Sequence, residues 1–89
     1  MKRIAQASPA STSASTDDQI GPRHVGTVYD NASGLFQVLA VVTDPSEARR
    51  ILRRQAARFA IHVVDLHAGT EHYTGAVWTG SDRVLKAVA

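Results

Sequence analysis

The junction at residues 42–47, where an apolar run meets a helix-start pattern, most constrains the fold. Leu35 to Val42 is β-branched and apolar and is too short for a helix, so it predicts a strand. Asp44, Pro45 and Glu47 follow, at positions that suit an N-cap, a first helical residue and a capping box. The sequence therefore predicts a strand that ends near Val42 and a helix from Asp44 to about Ala60.

The predicted helix is amphipathic when its residues are placed at 100° intervals. Its apolar arc consists of Ala48, Ile51, Leu52, Ala56 and Phe59, and Gln55 interrupts it. The opposite arc holds five arginines, which we call the arginine set: Arg49, Arg50, Arg53, Arg54 and Arg58. Guanidinium groups on one surface favour binding of carboxylates or phosphates. The alternative interpretation is a solvated face that keeps a small protein soluble.

Strand patterns flank the helix on both sides, and turn-rich residues connect them. The predicted strands are Val25–Tyr29, Leu35–Val42, Ile61–His67 and His72–Thr79. Residues 81–89 fit either a short last helix or an edge strand. The resulting β-β-α-β-β order predicts an α+β two-layer sandwich. In it, a four-stranded, mostly antiparallel sheet has one amphipathic helix across one face.

The N-terminal residues 1–23 form a low-complexity segment that is predicted to be a disordered tail. Ala5 to Thr16 contains only Ala, Gln, Ser, Thr and Pro, which bury too little surface to offset the entropy of ordering. The folded part is then a single small domain over residues 24–89. A core of that size supplies about 3–5 kcal/mol, and a chain with no cysteine has no disulfide to add to it. We therefore expect a partner or a second copy to contribute stability.

The charge of the chain is concentrated in the helix region. Residues 44–60 hold five arginines against two acidic residues, a local net charge of +3, whereas the whole chain has a formal net charge of +2. A basic element on a mildly acidic body predicts a non-enzymatic binding protein for a larger acidic partner, either a protein or a nucleic acid. The alternative is a self-associating homodimeric module with no nucleic-acid role, because the core is small and the strand Leu35–Val42 is apolar.

Histidines and carboxylates near the second hairpin are the candidates for metal binding or catalysis. A two-residue turn at Ala68-Gly69 would place Asp65 across from His72, and strand alternation would place His62 on the other face. The spacing matches no recognised metal-ligand motif, and no nucleophile motif is present. We therefore expect no cofactor, no metal and no catalytic residue. The residues for testing the opposite hypothesis are Asp65, His67 and His72.

Tyr73 joins the arginine set as a predicted binding residue. Tyr73 and Trp78 fall on opposite faces of the predicted last strand. We expect Trp78 in the core and Tyr73 partly exposed. An exposed tyrosine on an open sheet face could stack on bases or anchor a protein interface.

Targeting and membrane segments are not evident in the sequence. The longest apolar run, Val38 to Val42, is too short to span a bilayer, and Lys2 and Arg3 are not followed by the apolar stretch of a signal peptide. We expect a cytoplasmic protein that does not contact membranes.

The order strand, helix, strand, strand over residues 35–79 loosely resembles small phage and plasmid proteins, including some anti-CRISPR inhibitors. The resemblance rests on Ser46-Glu47-Ala48, the helix, and the pair His62–Leu66 and Tyr73–Trp78. It implies an accessory or inhibitory role toward a larger partner, and it carries over no functional residue.

Overall fold

The computed structural model describes residues 15–87, in which five strands form one antiparallel sheet and two helices lie outside it. The elements are α1 (Thr16–Ile20), β1 (Val28–Asn31), β2 (Gly34–Val42), α2 (Pro45–Leu52), β3 (Ala60–Asp65), β4 (Glu71–Thr74) and β5 (Arg83–Lys86). The strand order across the sheet is β4-β3-β2-β1-β5. Neither helix of residues 15–87 has the length and apolar character needed to cross a membrane.

The predicted α+β class is confirmed, but the predicted number of four strands is wrong. Residues 83–86 form the fifth strand, which pairs antiparallel with β1 at the sheet edge. This outcome corresponds to the edge-strand alternative for residues 81–89. Asp82 fixes the approach to β5, because its carboxylate accepts hydrogen bonds from the Asn31 side chain (2.8 Å) and from the Thr79 backbone N–H (2.9 Å).

The first hairpin forms as the turn residues predict. Asn31 pairs with Gly34, which leaves Ala32 and Ser33 as a two-residue turn between β1 and β2. The side-chain carbonyl of Asn31 accepts the backbone N–H of Ser33 at 2.8 Å, which stabilises the turn.

The second hairpin differs from the prediction in register. Val63 pairs with His72 and Val64 with Glu71, so the predicted pairing of Asp65 with His72 is wrong by two residues. The reason is the carboxylate of Asp65, which accepts the backbone N–H groups of His67 (2.9 Å) and Ala68 (3.0 Å). These bonds favour a longer connection over residues 66–69, which Gly69 closes with a φ of +76°.

The central strand β2 pairs antiparallel with β1 on one side and β3 on the other. Its register with β3 shifts between Val38 and Ala40. Both Val38, which is buried, and Val41, which packs against the buried cluster, consequently contact the core despite an odd spacing. The strands that flank α2 are thus antiparallel, and the connection between them is not a parallel crossover.

The core lies on one face of the sheet and is covered mainly by irregular segments. Its buried cluster consists of Ile20, Tyr29, Phe36, Val38, Phe59, Ile61 and Val63. Ile20 comes from α1 and Phe59 from the segment after α2, while Trp78, which follows β4, packs against the cluster. Three separate segments therefore cover this face, where a single helix was predicted.

The helix α2 begins at the predicted residue but ends earlier than predicted. Arg53 adopts a left-handed conformation (φ 57°, ψ 42°) and stops the helix after Leu52, so the predicted extension to Ala60 is wrong. Ala48 is the one buried residue of α2, and the helix packs mainly against β3 and β4 at one edge of the sheet, not across a whole face as predicted. The capping box is also absent, because the Asp44 side chain makes no cap hydrogen bond and Glu47 pairs with Arg50.

Residues 15–23, which were predicted to belong to the tail, are part of the folded domain. Ser15 caps α1 by accepting the backbone N–H of Asp18 at 3.1 Å. Ile20 and Arg23 are both buried. The segment is ordered because these two side chains pack on the core face of the sheet. The rest of the predicted tail, residues 1–14, lies outside the described residues.

Candidate functional site

The arginine set occupies α2 and the irregular segment that follows it. Arg49 and Arg50 lie in the last turn of α2, and Arg53 is its C-cap. Arg54 and Arg58 lie beyond the helix, so the five residues do not share one helical face as predicted. All five side chains are nevertheless exposed within one stretch of ten residues, 49–58.

Most of the arginine set has no acidic partner within the part of the chain that the structure describes. Arg50 pairs with Glu47 one turn earlier in α2. Over residues 15–87, no carboxylate lies within ion-pair distance of Arg49, Arg53, Arg54 or Arg58. Four guanidinium groups are therefore free of internal salt bridges in this region and are available to an external anion.

Two members of the arginine set line a cleft of about 260 Å³ beside the core. Arg54 and Arg58 are among the residues that line it, and we call it the basic cleft. Leu52 and Val77 contribute apolar surface to a lining that is otherwise mixed in polarity and is completed by Gln19, Ala56, Ala57, Phe59 and Gly75. No acidic side chain is among these lining residues. The basic cleft therefore combines apolar surface with two guanidinium groups.

Backbone contacts fix the walls of the basic cleft. Gly75 allows Leu52 to approach, since a Cβ at position 75 would lie 2.6 Å from Leu52 Cδ1. The Trp78 backbone N–H donates to the Gln19 carbonyl at 2.7 Å, which joins the segment after β4 to α1. The residues that border the cleft are thus held from three segments of the chain.

Arg23 holds these segments together. The sequence pattern assigned this residue to the predicted tail. It is 2% exposed. Its Nε donates to the Ile20 carbonyl at 2.8 Å, and its Nη2 donates to the carbonyls of Gln19 (2.9 Å) and Ala76 (2.8 Å). The only sequence signal for this order is Ile20 with the Gly21-Pro22 turn that follows it.

Three aromatic rings surround the Arg23 guanidinium. Its Cζ lies 5.6 to 5.9 Å from the ring centroids of Tyr29, Phe59 and Trp78. Ring faces at this distance attract a cation, and they replace part of the hydration that burial removes. Within residues 15–87 no carboxylate lies at ion-pair distance from Arg23. The rings and carbonyls therefore stabilise this buried charge.

Tyr73 lies on the sheet face opposite the core. The sequence pattern predicted this side chain to be partly exposed. We define this open sheet face by Val28, Gln37, His62, Val64 and Tyr73, which the strand register places on one side. None of the five is buried, and Tyr73 is 44% exposed. Tyr73 stacks on His62 with ring centroids 4.7 Å apart, and His62 Nε2 lies 3.0 Å from Glu71 Oε1.

Trp78 packs against the core, as predicted, but not from a strand. The strand β4 ends at Thr74, so the predicted extension to Thr79 is wrong. The segment after Thr74 leaves the sheet because its backbone groups bond to Arg23 and Gln19. Strand alternation therefore could not place Trp78.

The candidates for metal binding have structural partners of their own. Hydrogen bonds from the backbone N–H groups of Ala68 and His67 lower the pKa of Asp65, whose carboxylate shapes the turn. His72 packs edge-on against Phe36, with ring centroids 5.7 Å apart. Over residues 15–87, no group of three or more His, Asp or Glu side chains is placed to hold a metal ion.

Comparison of the chain with known protein families, with curated proteins and with solved structures gives no match. The class that fold and site define is a small α+β domain with an exposed basic segment and a basic cleft. Its function is therefore argued from these residues alone.

Proposed function

We propose that this protein is a non-enzymatic binding domain that presents its arginine set to a larger acidic partner. One observation supports the proposal above the others. All five arginines are exposed within residues 49–58, and four of them lack an ion-pair partner in the described part of the chain. An arginine side chain loses rotamer freedom when it binds, but it presents a planar fork of donors that matches carboxylate and phosphate groups.

The clustering of these charges has a kinetic and a thermodynamic consequence. Several like charges on one segment attract an acidic partner over a distance of about one Debye length, which is about 10 Å at 0.1 M salt. Association should accordingly slow and affinity should fall as salt is added. The proposal includes an accessory or inhibitory role of the phage or plasmid type, which the loose resemblance of residues 35–79 implies.

The test compares charge reversal in the arginine set with charge reversal elsewhere. Fluorescence anisotropy would measure binding to a labelled oligoglutamate peptide and to a labelled single-stranded DNA, at about 50 mM and about 300 mM salt. The fourfold variant R49E/R53E/R54E/R58E should lose binding to whichever probe the protein prefers. The control K86E, which reverses an exposed charge on β5, should stay within about twofold of the parent protein. Unchanged binding by the fourfold variant would refute the proposal.

A second candidate function is self-association through the open sheet face. Val28, Val64 and Tyr73 give this face apolar surface that is not buried. The sheet edges are poorer sites, because β4 and β5 have four residues each and β5 carries Arg83 and Lys86. The apolar strand β2 is paired on both sides, so its edge is not available.

Sedimentation at several concentrations would test this second candidate. The parent protein should form a dimer in the micromolar range, and Tyr73→Lys should shift it to a monomer by adding a charge within the contact. His24→Lys, at an exposed position outside the open sheet face, is the control and should leave the dimer intact. A parent protein that stays monomeric at several hundred micromolar would exclude this function.

A further inference from the structure

We infer that the basic cleft binds an acidic peptide segment of a partner protein in an extended conformation, with an apolar side chain inside the cleft and carboxylates on Arg54 and Arg58. The inference rests on the proposed function and narrows it. It names the part of the arginine set that contacts the partner directly. It also selects a protein over a nucleic acid as the partner.

The size and lining of the basic cleft suit an apolar side chain. Its volume of about 260 Å³ equals that of about nine water molecules at ~30 Å³ each. Val77, which is 47% exposed, contributes apolar surface to it, together with Leu52 and Ala56. Water on such surface is released when an apolar group enters, which favours binding.

The rim of the basic cleft suits carboxylates on either side of that apolar side chain. In an extended peptide, successive side chains point to opposite sides, and residues two apart share a side. Arg54 and Arg58 both border the cleft and both lack an internal carboxylate partner within residues 15–87. A segment in which acidic residues lie two positions before and two positions after an apolar residue places all three side chains on the cleft side, and it therefore matches the chemistry of the site.

The aromatic residues argue against a nucleic acid in this cleft. Proteins that bind single strands stack bases on exposed rings. Phe59 is the one aromatic residue among the cleft-lining residues, and it is buried in the core. The exposed ring of Tyr73 lies on the open sheet face and stacks on His62. A nucleic acid would meet the arginines without using the apolar lining.

The basic cleft is also organised before any partner binds. Arg23 links α1 to Ala76, and the Trp78 backbone bonds to Gln19, so two of the bordering segments are fixed to each other. A preformed site loses little conformational freedom on binding. A short peptide should consequently show measurable affinity.

The experiment measures binding of three fluorescein-labelled probes to the full chain. The first probe, the Glu-Leu peptide, is a decapeptide with Ser at every second position and Glu and Leu in turn at the positions between, so that Glu and Leu share one side of the extended chain. The second probe, the Glu-Ser peptide, has Ser in place of each Leu. The third probe is a single-stranded oligothymidine. The variant R54E/R58E alters the two cleft arginines. The matched control R49E/R53E makes the same change in net charge at two exposed arginines that do not line the cleft.

We expect the Glu-Leu peptide to bind about tenfold more tightly than the Glu-Ser peptide. R54E/R58E should lower the affinity for the Glu-Leu peptide by about tenfold or more, whereas R49E/R53E should lower it by about threefold or less. Val77→Thr keeps the size of the side chain but adds a hydroxyl group. This substitution should lower the affinity for the Glu-Leu peptide but not for the Glu-Ser peptide. Val25→Thr, at an exposed position that does not line the cleft, is the control and should leave both affinities unchanged.

Three results would overturn the inference. Equal weakening by the two double variants would show that only general charge attraction acts, which leaves the proposed function intact. Binding of all probes unchanged in both double variants would remove the inference and the proposed function together. Preference for oligothymidine, with loss of binding in R54E/R58E, would assign the cleft to nucleic acid.

Discussion

Replacing Arg23 with methionine removes a buried positive charge while leaving a side chain of similar reach. The change tests whether this residue holds the domain together, because the arginine connects α1 to the segment after β4. It donates three hydrogen bonds to backbone carbonyls and lies among three aromatic rings. Methionine keeps the contact with the rings and loses every hydrogen bond.

The expected loss of stability follows from two opposing contributions. Each hydrogen bond from a charged donor contributes about 1.5–3 kcal/mol, so the three bonds together contribute about 4.5–9 kcal/mol. Burying an ion costs several kcal/mol, and methionine avoids that cost. If the cost of burying the ion is about 2.5–5 kcal/mol, the difference is an expected destabilisation of about 2–4 kcal/mol. A domain of this length has a free energy of unfolding of about 4–11 kcal/mol, so a large part of its stability depends on Arg23.

Urea denaturation followed by tryptophan fluorescence measures this loss directly. The chain has a single tryptophan, Trp78, and its ring lies 5.6 Å from the Arg23 guanidinium carbon. The probe therefore reports on the contact that the substitution changes. Arg49→Met is the control, because Arg49 is exposed and lacks an ion-pair partner among the described residues. Its free energy of unfolding should stay within about 0.5 kcal/mol of the parent value.

Arg23→Lys separates the charge from the geometry of the guanidinium. Lysine keeps the positive charge, but its single ammonium group cannot reach all three carbonyls in the planar arrangement of arginine. Its destabilisation should be close to that of methionine. A methionine variant within about 0.5 kcal/mol of the parent protein would refute the reasoning, because the three carbonyls would then lose their donors without cost.

The remaining predictions concern glycine positions and acid stability. Gly21→Ala should destabilise the domain by about 3 kcal/mol or more, because φ is +65° and the new Cβ would lie 2.6 Å from Trp78 Cγ. Gly69→Ala, where φ is +76° but the space is open, should cost about 1 kcal/mol. Equal losses of the free energy of unfolding in urea denaturation would contradict this reasoning. Hydrogen bonds from Ala68 and His67 lower the pKa of Asp65 below its ordinary value of 3.8. Desolvation would raise the pKa of Asp82, but hydrogen bonds from Asn31 and Thr79 lower it overall. The stability that the two carboxylates contribute should be complete above about pH 3.8 and should be lost as the pH falls through their lowered pKa values. In the double variant D65N/D82N, the free energy of unfolding should depend less on pH in this acid range.

The two ends of α2 show how far local sequence reaches. Its start is encoded by Asp44 and Pro45, whose backbone preferences act within one turn. The end of α2 is not encoded locally, because the residues through Ala56 and Ala57 still favour a helix, whereas the chain leaves the helix at Arg53. Burial of Phe59 against the core face and of Ala60 at the start of β3 outweighs the weak helix propensity of the intervening residues.

The second hairpin and the site show the same limit. Alternation along β3 predicts which residues share a face, but the pairing of β3 with β4 depends on how Asp65 bonds to the backbone of the turn. The arginine set could be identified from spacing and charge. The basic cleft could not be identified, because its lining comes from α1, the end of α2 with the segment that follows it, and the segment after β4.

The sequence by itself determined the α+β class, the first hairpin, the start of α2 and the concentration of arginines in residues 49–58, since these depend on residues close together in the chain. Only the tertiary structure decided that β5 completes the sheet, that residues 15–23 belong to the domain and that Arg54 and Arg58 border a cleft. These features require contacts between residues far apart in the sequence, such as that of Arg23 with Ala76, 53 residues away. A pattern of neighbouring residues gives no information on the energy of such a contact. A buried guanidinium becomes favourable only when distant carbonyls and rings surround it.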